Sequence, residues 1–207
     1  MRKLNVCLTL CLLLFAVPMV KAQSASHIDG LPSGVVIPPT GTVFALETPS
    51  SLVQIHPTEV VSNSHAAGNF ARSMVYVGGH ASVELDGTSS STNLAEGHDS
   101  FLIRIGGDDP DLVRQRVHLV RLRATKDRRV VISYSQNIFG GQRKKKVDDI
   151  QIKKSDAAKD TWLKITPQKP LAPGEYGILF MNNDPAFVPD VVYDFEVGSD
   201  SATPGKS

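Results

Sequence analysis

Four consecutive cations, Arg143, Lys144, Lys145 and Lys146, follow Gly140-Gly141-Gln142 and form the sharpest polar feature of the chain. On a loop opened by glycines they would make a local positive patch suited to phosphate, sulfate or an acidic polysaccharide, since ammonium and guanidinium groups bind anionic oxygens with charge-assisted hydrogen bonds. No aromatic residue is interleaved among them, so the run lacks the stacking platforms of a site for single-stranded nucleic acid. A plainer role is also open: a charged hairpin loop keeps a sheet edge from pairing with another edge.

Carboxylates gather at Asp108, Asp109 and Asp111 and again at Asp148 and Asp149. Either group offers oxygens to Ca²⁺, but neither has the regular ligand alternation of a dedicated loop, so both read as solvated turns. His56, His65, His80 and His98 are spread along the first half without metal-ligand spacing. The sequence contains no HExxH, no glycine-rich phosphate loop, no GxSxG and no EF-hand pattern. It therefore assigns no catalytic, cofactor-binding or metal-ligating residue.

The elements that must position any site are clearest between Trp162 and Val197. Pro173 pre-sets φ for the first central position of a turn and Gly174 tolerates a positive φ at the second, which predicts a type II turn. Beyond it, Tyr176, Ile178 and Phe180 share one face of a strand while Gly177, Leu179 and Met181 share the other, so both faces are nearly apolar. Val191, Tyr193, Phe195 and Val197 alternate with Val192, Asp194 and Glu196, predicting a final strand with one wetter face. Tyr176, just after a turn entered through Leu171, has the placement of a tyrosine corner, so Pro173, Gly174 and Tyr176 are read as structural.

The segments LAPGEYGILF (residues 171–180) and VVYDFEV (191–197), together with LVRLRATKDRRVV (119–131), resemble a loosely defined set of bacterial exported proteins of unknown function, in which a PGEY turn precedes a YDF strand. The resemblance covers about half of the chain. It implies export and a β fold, and it brings no activity or binding residue with it.

Upstream, Arg2 and Lys3 precede an apolar run from Val6 to Val20, and Val20-Lys21-Ala22 supplies a cleavage site, the three parts of a secretory signal. Cys7 and Cys11 fall inside that run. Cleavage after Ala22 would leave a chain beginning at Gln23 with no cysteine, hence neither a disulfide framework nor thiolate catalysis. Loss of Arg2, Lys3 and Lys21 takes the net charge from +1 to −2, a balance that does not suggest nucleic acid.

Between these ends, residues 23–33 read as a flexible linker and 34–97 as a small β region or an extension of the main domain. Val43–Leu46 and Leu52–Ile55 flank an ETPS turn, and Met74–Val77 and Ala81–Leu85 flank Gly78-Gly79 as a hairpin. Phe101–Ile105 starts a series of alternating runs. For Pro110–Ala124 a helix competes with a strand; the arginine–valine alternation from Val117 and the tight turn after it favour the strand.

The expected fold is mainly β: an immunoglobulin-like or related Greek-key β-sandwich over 98–198, a smaller amino-terminal β region, and a disordered tail at 199–207. The expected function is that of an exported, non-enzymatic binding or structural module with no cofactor. Its partner would be an envelope protein or an acidic glycan, and no membrane span remains after signal cleavage. The alternative is an exported hydrolase or carbohydrate-active enzyme whose Asp and Glu residues meet from separate loops.

Overall fold

The computed structural model describes residues 41–48, 51–62, 80–97, 100–135, 144–158, 161–182, 184 and 187–198. Residues 1–40, Met74–Val77, Arg143 and the tail at 199–207 lie outside the described residues. Strands β1 (Val43–Thr48) and β2 (Ser51–Ile55) are followed by the short β3 (Pro57–Glu59) and β4 (Val61–Ser62), then by β5 (His80–Asp86), β6 (Asn93–Leu94) and β7 (Phe101–Arg104). A helix, α1 (Pro110–Arg116), leads into β8 (Val117–Arg121), β9 (Arg123–Ala124), β10 (Arg128–Ser135) and β11 (Lys144–Lys146). Strands β12 (Asp149–Ile150), β13 (Ile152–Ala158), β14 (Trp162–Pro167), β15 (Gly174–Phe180) and β16 (Val191–Val197) complete the described elements.

The described strands make a mainly β fold of three sheets. The first has the order β13-β14-β7-β1-β2, the second β12-β8-β15-β16-β3 with β6 alongside β16, and the third β11-β10-β5-β4 with β9 alongside β10. Every pairing is antiparallel except that of β6 with β16. Strands from 34–97 and from 98–198 share each sheet: β1 pairs with β7, β3 and β6 with β16, and β5 with β10.

Strand alternation determines how the sheets stack. On β8, β15 and β16, Leu119, Tyr176, Ile178 and Phe195 pack with Val43, Phe101, Ile103 and Leu163 of the first sheet. The intervening residues Val120, Leu179 and Val192 pack with Val83, Leu85, Ile132 and Tyr134 of the third. The second sheet is therefore the middle layer, buried on both faces, which is why the strand from Glu175 to Met181 reads apolar on both sides. Each fully buried side chain of this kind stabilises by about 1.5–3 kcal/mol. Phe195 links the aromatics of the first interface, with ring centroids 4.9 Å from Phe101 and 5.7 Å from Tyr176.

One sequence expectation changes with the third layer. The alternate face of β16 is not wet: Val192 and Asp194 are buried under the third sheet. Gly177 is required by the close packing there, because a Cβ at this position would stand 2.6 Å from Val192 Cγ1.

The strand expected from Val117 forms as β8, and the helix weighed against it over Pro110–Ala124 forms only as far as Arg116. Asp109 accepts hydrogen bonds from the backbone N–H groups of Asp111 (2.9 Å) and Leu112 (3.4 Å), and Pro110 occupies the first turn, so this segment starts as a capped helix. At the other end, Lys154 Nζ donates to the carbonyls of Arg114 (2.6 Å) and Val117 (2.9 Å), where the helix leaves acceptors unsatisfied. The aspartates of GGDDPD thus include a cap and, at Asp111, a partner for Arg114.

Candidate functional site

The site is built where the chain passes between the middle and third sheets. Strand β5 pairs along the whole of β10, from Arg128 to Ser135. β9 and β11 must therefore lie end to end along the other edge of β10, β9 opposite Arg129 and Val130 and β11 opposite Ser133 to Ser135. Between them the edge is open, at the place where the β10–β5 register shifts around Val131. A bulge bends its strand and leaves an unpaired residue, a geometry suited to the rim of a site.

Two crossings frame this gap. Leu122 carries the chain from β8 in the middle sheet to β9 in the third, and Val147-Asp148 carries it back from β11 to β12. The crossings are tied together where Arg121 N–H donates to the Asp148 carbonyl at 2.8 Å. They enclose a cavity of about 310 Å³ with Val130 and Val131 in its wall. Arg121, Arg123, Lys146, Ser133 and Asp148 supply its polar lining.

Three cations thus face one carboxylate. Among the described residues, neither Arg123 nor Lys146 is ion-paired. Arg121 is held more firmly: its Nη2 donates to the Pro173 carbonyl at 3.1 Å, and its guanidinium lies 5.7 Å from the Tyr176 ring centroid. Such a lining can bind an anionic oxygen group by charge-assisted hydrogen bonds, with the Ser133 hydroxyl as a neutral donor.

The cation run is only partly assembled here. Residues 144–146 form an edge strand, not a solvated loop, so successive side chains leave opposite faces of the sheet. Lys146, opposite Ser133, lines the cavity. Lys145, opposite Tyr134, is half-buried on the other face; burial lowers the pKa of its ammonium, and nearby Asp184 opposes that shift. Arg121 and Arg123 are the cations that join Lys146 in the lining. Arg121 ends β8 and Arg123 begins β9, on either side of the crossing at Leu122, so no strand alternation groups them.

A second cavity, of about 480 Å³, shares Arg121. It is lined by Asp149, Gln151, Gln168 and Lys169, with Tyr176 in its wall. Tyr176 is buried and its hydroxyl donates to the Ala172 carbonyl at 2.6 Å, tying the strand to the segment before it. Burial raises the pKa of this phenol; Arg121 opposes the rise and Asp148 adds to it. Pro173 bends the chain, but the turn is not type II: Gly174 has φ +149°, well beyond the roughly +80° of that turn, and already opens β15.

The buried charges were not visible in the sequence reading. Arg129 of β10 crosses from the third sheet to the middle sheet, where its Nη1 donates to Glu175 Oε2 (3.0 Å) and Asp194 Oδ2 (2.5 Å). Its Nε donates to the Gly87 carbonyl and its Nη2 to the Asp86 carbonyl. Thr58 Oγ1 donates to Asp194 Oδ1, and the Ser90 N–H to Glu175 Oε2. Burial pushes the Glu175 carboxyl above its ordinary range, Arg129 pulls it down, Glu196 raises it further and the Ser90 N–H lowers it. A buried cluster like this ties two sheets together, and its carboxylates, almost wholly removed from water, offer a substrate no open approach.

Among the described residues, no three His, Cys, Asp or Glu side chains are gathered as a metal site. No helix among them is long and apolar enough to cross a membrane. His118 of β8 stands 3.3 Å from Asp149, which lines the second cavity. The chain matches no protein-family model, no curated protein and no solved structure.

Proposed function

We propose that this protein is an exported, non-enzymatic binding module that holds an anionic ligand in the cavity of Arg121, Arg123 and Lys146. The reading is carried by the cavity's lining, in which three cations share one carboxylate and two of the cations lack an ion pair among the described residues. Like charges held around one space repel one another, and an entering anion relieves that repulsion while gaining hydrogen bonds. An acidic glycan or an acidic segment of an envelope protein provides such a group. Export rests on the signal pattern of residues 1–22 and on the resemblance of the PGEY and YDF segments.

A hydrolase would require carboxylates converging on a substrate cleft. Glu175 and Asp194 do converge, but within the buried ion pair with Arg129, while Asp148 and Asp149 line different cavities. The binding reading therefore has the stronger support.

Its test is the retention of the chain beginning at Gln23 on a panel of acidic and neutral ligands at low and physiological salt. Retention of acidic ligands that weakens as salt rises is expected, since exposed charges are screened. Equal retention of acidic and neutral ligands, or none of either, would reject the reading.

A further inference from the structure

Asp148 supplies the carboxylate in the lining of the Arg121–Arg123–Lys146 cavity, and among the described residues it is ion-paired to none of the three cations. Its position is set by the backbone: the Arg121 N–H donates to the Asp148 carbonyl at 2.8 Å, where the chain passes from β11 to β12. The Arg121 guanidinium turns instead to the Pro173 carbonyl, 3.1 Å away, and to the Tyr176 ring. Three cations therefore draw an anion into a space that an acceptor also borders.

That acceptor sets a condition on the ligand. An ionised carboxylate has no hydrogen to donate, and neither has a sulfate or a second carboxylate. Either of these would meet Asp148 as one negatively charged acceptor meets another. A ligand that carries an O–H beside its charge turns the same contact into a charge-assisted hydrogen bond. The charge balance sets a second condition: three cations and one carboxylate leave two positive charges, which a dianion matches.

A phosphoryl group meets both conditions. It is dianionic above its second pKa of about 6, and an O–H accompanies it, either its own in hydrogen phosphate or that of the sugar in a sugar phosphate. The cavity of about 310 Å³ has room for either, since a water molecule's share of liquid volume is about 30 Å³. From these conditions we infer that the cavity selects a phosphoryl group accompanied by a hydroxyl, with Arg121, Arg123 and Lys146 on the phosphoryl oxygens and Asp148 accepting the hydroxyl hydrogen. The inference rests on the anion-binding function above and deepens it by naming the ligand class. It favours a phosphorylated sugar or free phosphate over an acidic protein segment, whose carboxylates bring acceptors alone.

The test compares hydrogen phosphate with sulfate, two tetrahedral anions that at about pH 8 are both chiefly dianions and differ by one hydroxyl hydrogen. Affinities are read from amide NMR titrations of the chain beginning at Gln23 as wild type, Asp148→Asn, Asp148→Ala and Asp149→Asn. Both aspartates are exposed, and matched thermal unfolding would establish that the variants retain the fold. The wild type should bind hydrogen phosphate about tenfold more tightly than sulfate, a difference of roughly 1.4 kcal/mol. Removal of a negative charge strengthens binding of both anions, so the readout is their ratio. Both Asp148 variants should bring that ratio close to one, and Asp149→Asn, which alters the other cavity, should leave it unchanged. Methyl phosphate, a dianion without an O–H, should bind like sulfate. Whichever of hydrogen phosphate and a hexose phosphate binds more tightly identifies the source of the group. Equal wild-type affinities for hydrogen phosphate and sulfate, a preference that survives in the Asp148 variants, or methyl phosphate binding as tightly as hydrogen phosphate would overturn this inference and leave anion binding standing. Failure of the wild type to bind any of these anions would overturn both.

Discussion

Arg129 Nη1 in the third sheet lies 2.5 Å from Asp194 Oδ2 in the middle sheet, joining residues that stand 65 positions apart in the chain. The contact belongs to an interface that is otherwise packed by Val83, Leu85, Ile132, Leu179 and Val192. Its consequences for stability are direct, because each partner is almost wholly removed from water.

Replacement of Arg129 by Met leaves Glu175 and Asp194 buried without their cation. Breaking a buried ion pair from one side costs about 3–5 kcal/mol, and urea unfolding of Arg129→Met should show a loss of that size. Adding Glu175→Gln and Asp194→Asn should recover a good part of it. A single-variant loss below about 1 kcal/mol would mean that water reaches the cluster.

The same cluster predicts a pH dependence. The folded-state pKa of Glu175 is raised above its ordinary 4.5, chiefly by burial. A raised carboxyl contributes stability that is fully present below the unfolded pKa and is lost as pH rises through the folded pKa. The stability difference between wild type and Glu175→Gln should therefore move against the wild type as pH climbs from 4.5. Denaturant unfolding at a series of pH values measures it, and a constant difference would contradict the assignment of this shift to Glu175.

Tyr176→Phe keeps the aromatic packing on Phe195 and deletes only the bond to Ala172. Ala172 is exposed, so its carbonyl regains water and the loss is that of one hydrogen bond, about 0.5–1.5 kcal/mol. Equilibrium unfolding should fall in that range, and Tyr176→Ala should cost about 3–5 kcal/mol through the lost ring. Equal effects for the two substitutions would place the whole contribution in the hydroxyl.

Gly177→Ala would drive a methyl group into Val192. Overpacking of this kind costs about 1–3 kcal/mol. The double variant with Val192→Ala should lose less than the sum of the two single losses. Strict additivity would show that the methyl is accommodated by a different shift.

Much of the strand pattern was legible because its period is local. Tyr176, Ile178 and Phe180 separate from Leu179 and Met181 by alternation alone, and both groups are apolar. What alternation cannot give is the layer that each face meets, so Asp194 read as solvated although its neighbour on that face, Val192, is fully buried. A buried acid on a strand packed on both faces needs a counter-charge, but Arg129 could be identified only from the fold. The helix at Pro110 was obscured because its seven residues run directly into β8, and the arginine–valine alternation of the strand dominated the longer window. The candidate site was half legible: Lys146 was named, whereas Arg121 and Arg123 join it only through two sheet crossings that no local pattern encodes.

The central claim is that anions collect at the open edge of β10. Titrating sulfate into the labelled chain beginning at Gln23, while recording its amide proton–nitrogen NMR spectrum at low salt, tests that claim at residue level. The account predicts saturable shifts at Arg121, Arg123, Ser133, Lys146 and Val147, abolished in Arg123→Ser/Lys146→Ser, with β1 and β2 unmoved. Shifts spread over exposed cations such as Lys126 and Lys153, with none at the cavity, would contradict it.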